Sequence, residues 1–164
     1  MDTTYGSTKG FPPHLVGALD RIRTTDDALP AHLVAVIVRG GNVIAWASNV
    51  SKLNVYTARN RDGTVDAGCG STHAEVRAIF KARKKSDLRG CKMYVARLTK
   101  TGEQLTQRSV IGVARPCARC MRTIASYGIK RVVYTIGPGA FGTLAISGSS
   151  PCRRSTAARK LPHS

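Results

Sequence analysis

The sequence predicts an α/β protein built as one domain. Hydrophobic residues make up 42% of the 164-residue chain but aromatics only 5%, so the core must come mainly from Val, Ile, Leu and Ala. Along the chain, apolar runs switch between the period of a strand and that of a helix. A chain of 17.5 kDa can bury one substantial core but not two.

Taken in order, residues 1–13 are polar, contain Gly and Pro and show no period, which predicts a loosely ordered arm. From His14 to Arg23, Leu15, Ala18, Leu19 and Ile22 recur at helical spacing behind Pro13. Leu33 to Val38 and Val43 to Ser48 are apolar runs joined by Arg39-Gly40-Gly41-Asn42, whose glycines supply the positive φ of a tight hairpin. Asn49 to Thr72 has no sustained period, and a connection that long is mobile or functional. His73 to Lys85 reads as a helix with Ala74, Ala78, Ile79 and Ala82 on one face; its basic end suits the negative end of the helix dipole. Met93 to Leu98 reads as a strand, Lys100 to Gln107 as a turn, and Ser109 to Ala114 as the next apolar run. Cys117 to Tyr127 forms a helix between Pro116 and Gly128, and Val132 to Ile136 a strand, after which the pattern weakens. Residues 147–164 have the composition of a disordered basic tail, leaving 14–146 as the domain.

Charge sets the class of partner. There are 26 Lys and Arg against 9 Asp and Glu, a net charge of +17, with no acidic residue after Glu103. Solubility of a domain this size needs only about 2 to 8 net charges, so the excess points to a polyanion, single-stranded DNA or RNA. No run reaches the ~20 apolar residues of a membrane helix, since Leu33 to Val38 stops at Arg39. Met1 to Thr4 lacks signal-peptide character, and an intracellular, cytoplasmic chain is expected.

Two motifs open two of the helices: His73-Ala74-Glu75, and Pro116-Cys117-Ala118-Arg119-Cys120. In a reducing compartment Cys-x-x-Cys reads as metal binding before disulfide. One imidazole and two thiolates make a three-ligand set for zinc that leaves the fourth tetrahedral position open, as a catalytic site requires. Zinc lowers the pKa of its water to about 7. Glu75, two residues past the ligand, is within reach of that water without being a ligand, as a general acid/base must be. The competing reading is a structural Cys-Cys-His site completed by Cys69 or Cys91, and it leaves Glu75 without a purpose.

His73-Ala74-Glu75, the P-C-A-R-C of 116–120 and the M-R-T-I-A-S-Y-G-I-K-R-V-V-Y-T of 121–135 resemble the cytidine/deoxycytidylate deaminase superfamily. Within it the likeness is to the branch of deoxycytidylate, phage-borne and polynucleotide deaminases. The resemblance implies a three-layer α-β-α sandwich around a mixed, roughly five-stranded sheet, and a zinc-dependent hydrolysis of cytosine to uracil in which Glu75 shuttles protons. It matches Asn49 to an asparagine that bonds the substrate sugar, against the plain alternative of a strand-ending Asn. Ala74 and Pro116, inside the motifs, and Tyr134 join it as substrate-contact candidates. Arg115, before Pro116, is placed at the mouth of the site as a phosphate contact or a solvated arginine. Arg119, Arg122 and Phe141 are candidates for touching a nucleic-acid strand. Trp46 reads as core before base-stacking, and Cys69, Cys91 and Cys152 as free thiols. Three functions stay open: a deaminase of cytosine in single-stranded nucleic acid, which the +17 charge favours; a deaminase of a free nucleotide or nucleoside; and an inactive deaminase fold that binds nucleic acid.

Overall fold

The computed structural model describes residues 6–22, 31–50, 58–59, 65–66, 73–101 and 108–147. Helix α1 (Pro13–Ile22) buries the four residues its period singles out, Leu15, Ala18, Leu19 and Ile22. Before it, in the stretch read as a loose arm, Phe11 is buried in the core and the Ser7 carbonyl accepts a bond from Gly139 N. Strands β1 (Ala31–Arg39) and β2 (Asn42–Ser48) form the expected antiparallel hairpin. Gly40 and Gly41 turn it with φ of 54° and 87°, values that would strain a residue bearing a Cβ. Val34 to Val38 are all buried, because helices cover both faces of β1.

Strands β3 (Ala58–Arg59) and β4 (Val65–Asp66) pair in a small ribbon. Past Val50, the rest of the long connection, Cys69 included, lies outside the described residues. Helix α2 (Ala74–Ala82) packs under β2 and β1. Between Glu75 and Pro116 run β5 (Lys92–Thr101), longer than its apolar run, and β6 (Arg108–Ile111). Gly112 N donates to Arg97 O and Ala114 N to Thr135 O, so residues 112–114 cross from β5 to β7. Helix α3 (Ala118–Ser126) ends where Gly128, at φ 74°, stops it, and β7 (Arg131–Gly137) then pairs parallel with β5.

The sequence pattern misses one strand. β8 (Ala140–Ala145) folds back antiparallel on β7 as an edge strand. Gly142 and Thr143 interrupt its apolar residues, and all six are half or fully exposed, so no sustained apolar run betrays it. Gly142 faces the Tyr134 ring so closely that a Cβ there would sit 2.5 Å from it; the aromatic supplies the packing that the glycine lacks.

The sheet therefore has six strands where the resemblance implies about five, in the order β2-β1-β5-β7-β8 with β6 on the upper half of β5. It is mixed, β5·β7 being its parallel pair, and it has helices on both faces, as expected. Val34, Val36, Tyr94 and Val133 pack with α1 on one face; Ile37, Met93, Val95 and Val132 pack with Ile79 of α2 and Ile124 of α3 on the other. Cys91 is fully buried in that second core as a free thiol. The basic tail lies outside the described residues except for Ser147. Among the described residues no helix is long and apolar enough to cross a membrane.

Candidate metal centre and active site

The two motif helices start side by side beneath the sheet. His73 is the N-cap of α2, in extended backbone geometry (φ −69°, ψ 149°), and its side chain makes no capping bond, which leaves the imidazole for other work. Cys117 caps α3 in the same geometry (φ −68°, ψ 163°) and its sulfur accepts from Cys120 N at 3.5 Å. Cys120, one turn on, points the same way. The dipoles of both helices place partial positive charge at this junction, which favours thiolates.

His73 Nδ1 lies 3.2 Å from Cys120 Sγ and 3.7 Å from Cys117 Sγ, and all three donor atoms fall within 4.8 Å of one another. Zinc bonds of about 2.1 Å to nitrogen and 2.3 Å to sulfur at the tetrahedral angle separate such donors by about 3.6 Å, so the cluster is already at ligand spacing. No fourth protein donor joins it among the described residues. Cys91 sits in the core instead.

Glu75 is the buried carboxylate of the site, 2% exposed, and its Oε2 has no hydrogen-bond partner among the described residues. Burial pushes its pKa up. Burial also raises the Cys120 thiol, and the neighbouring Glu75 and Cys117 raise it further. The Cys120 thiol and the Glu75 carboxyl, buried together, thus resist ionisation by themselves, against the pull of the helix dipoles. A dication reverses that preference, deprotonating coordinated thiols outright, so the donor set fits zinc both in spacing and in charge.

The remaining sequence candidates separate. Ala74 and Pro116 are buried beside the ligands, and Arg115 is exposed next to Pro116. Asn49 accepts from Leu33 N at 2.8 Å and donates to Ala31 O at 3.1 Å, so both ends of its amide close the end of the hairpin; a sugar contact would need one of those bonds released. Tyr134 packs in the core over Gly142. Phe141 is 40% exposed, with its ring edge against Phe11. Arg119 is half-buried and Arg122 exposed on α3. Trp46 is half-buried at the sheet edge, short of the core position its alternation predicts.

Sequence reasoning passed over Arg77, one turn past His73, whose guanidinium holds Ser48 O and so ties α2 to the end of β2. Its helical spacing from His73 was the available signal.

The family model for the cytidine and deoxycytidylate deaminase zinc-binding region matches residues 18–136. The chain belongs to this family. The matched zinc-binding region contains His73, Cys117 and Cys120, and this cluster could hold the family's zinc. Among solved structures, cytidine deaminase from Burkholderia pseudomallei is 20% identical, over 81% of this chain and 91% of that one, with a TM-score of 0.53; the likeness is one of fold. The dCMP deaminase of cyanophage S-TIM5, solved with dCMP and dUMP, is 21% identical over 74% of this chain and 76% of that one, with a TM-score of 0.46. No curated protein matches the chain in sequence.

Proposed function

We propose that the chain is a zinc-dependent hydrolase that converts cytosine to uracil in single-stranded nucleic acid, with DNA favoured. The observation that carries the chemistry is the meeting of three ligand-spaced donors with a buried carboxylate whose Oε2 has no hydrogen-bond partner among the described residues. His73, Cys117 and Cys120 hold the metal. When bound, zinc is a Lewis acid that makes hydroxide available from water near neutral pH. Glu75 is too short of solvent to be a surface charge, and its burial raises its pKa, the direction that a general acid/base working near neutral pH needs. It accepts the proton of the attacking water at Oε2, delivers it to N3 of the base, and assists departure of the amino group. The balance is cytosine plus water giving uracil plus ammonia.

The polymer is supported by charge. Arg115, Arg119 and Arg122 stand on and just before α3, and no acidic residue follows Glu103 in a chain of net +17. The domain proper is taken as 14–146, with 1–13 and 147–164 flanking it. A free nucleotide or nucleoside is the competing substrate, the one named for the cyanophage and Burkholderia enzymes. Incubating the zinc-loaded protein with single-stranded DNA, duplex DNA, RNA, dCMP and cytidine, and scoring uracil, separates the two. Efficient dCMP turnover with no product from any polymer would end the polynucleotide reading and keep the zinc chemistry. No turnover of any of them, with zinc bound, would leave a binding module.

A further inference from the structure

A second concave surface lies on the far half of α2. It has a volume of about 770 Å³ and runs between α2, the end of α1 and the edge strand β2. Six cations line it, Arg21, Arg77, Lys81, Arg83, Lys84 and Lys85, and no carboxylate does among the described residues. Val43, Ile44 and Ala45 form its apolar floor, with the rings of Trp46 and Phe80.

A helix C-terminus is satisfied by one or two cations in its last turn. That does not account for Arg77, two turns earlier, or for Arg21 on another helix. The contacts that hold Arg77, Lys81 and Arg83 are to neutral groups. Lys81 donates to Trp46 O and stands 5.6 Å over the Trp46 ring, Arg83 donates to Tyr127 Oη and lies 4.1 Å over Phe80, and Arg77 donates to Ser48 O. Carbonyls, a phenol and aromatic faces fix these cations in place yet leave their charge available to an outside anion. Gathering like charges this way costs stability through self-repulsion, a cost that an anionic ligand relieves.

We propose that this groove is a second nucleic-acid contact, a track for the phosphate backbone of a single strand, separate from the zinc site. The choice of occupant rests on the polynucleotide reading above. The form of the groove supports a strand over a compact anion. Arg77 and Lys81 stand four residues apart on α2, and Lys84 and Lys85 lie in the turn that follows it, spreading charge along the groove where a single phosphate cluster would need convergence. Rows of cations beside aromatic and apolar surface are the general composition of single-strand grooves. The row starts one turn from His73, whose carbonyl accepts from Arg77 N, so a strand in the groove is led toward the catalytic end of the same helix.

Trp46 is the sole tryptophan of the chain, and its fluorescence therefore reports on the groove alone. The test uses the full-length, zinc-loaded protein and oligodeoxythymidine of about 30 nucleotides, which carries no cytosine and separates binding from turnover. The oligomer should change Trp46 emission saturably. The double variant Lys84→Glu/Lys85→Glu should bind at least about tenfold more weakly and lose about 1.4 from the slope of log affinity against log salt, at 0.7 per phosphate contact. Its zinc content and melting midpoint should match the parent. Unchanged affinity and slope in the folded variant would overturn the proposal, as would no binding by the parent. A free nucleoside triphosphate that saturates the Trp46 response and blocks the oligomer would also overturn it, making the groove a nucleotide pocket. A strand bound in the groove but never deaminated would sink the proposed function and spare the groove. Deamination indifferent to the double variant would do the reverse.

Discussion

The two ends of α2 make opposite use of the same helix. At its start, His73 and Glu75 each hold one position that no neighbour duplicates, with Glu75 buried and its Oε2 without a hydrogen-bond partner among the described residues. At its far end, Lys81, Arg83, Lys84 and Lys85 are exposed and carry the same charge several times over. Chemistry needs one atom in one place, whereas attraction to a polyanion needs only a sum of charge. Loss of a single side chain should accordingly be total at the first end and graded at the second.

The largest effect tests the first end. Cys120→Ala removes a donor from the ligand set, and metal analysis should find less than one zinc per chain with turnover lost altogether. Full zinc content in that variant would exclude Cys120 from the site. Glu75→Ala comes next: zinc and fold should persist while turnover falls by about 10² to 10⁴, the share a positioned acid/base supplies. Near-parental kcat would show that the buried carboxylate is structural.

Ile79 sits between the two ends, fully buried on the α2 face of the sheet. Ile79→Ala should cost about 2–5 kcal/mol of stability, measured by denaturant unfolding, because it leaves a cavity under both ends at once. A cost below about 1 kcal/mol would mean that the core closes around the gap and that the ends are mechanically independent. The smallest effect belongs to the far end. Lys84→Ala alone should lower the salt slope of strand binding by about 0.7 and leave turnover of a saturating substrate as it was. A single lysine that abolished binding would break the graded picture.

The same contrast explains what could be read before the fold. Zinc ligands and the carboxylate announce themselves because few other uses require His-x-Glu and Cys-x-x-Cys at two helix starts, and the Gly40-Gly41 turn because positive φ selects glycine. The buried face of α1 follows its period. The groove is invisible along the chain: Arg21, Trp46 and Lys81 come together only when α1, β2 and α2 pack, and the basic run ending α2 has an adequate local explanation in the dipole. Strand β8 escapes for a related reason. Its stability comes from pairing with β7 and from the Tyr134 ring over Gly142, neither of which lies in its own residues.

The absence of a capping bond from His73 carries a cost of its own. A Ser or Asp in that place would stabilise the start of α2 by roughly 1 kcal/mol, and the chain forgoes it to keep a ligand there. A zinc held by His73, Cys117 and Cys120 would do the work of a cap, joining the beginnings of α2 and α3 to each other. Thermodynamic linkage follows: free zinc at about a hundred times its dissociation constant adds about 2.7 kcal/mol to the folded state. Scarcity of zinc would then both idle the site and withdraw that increment of stability from the folded chain.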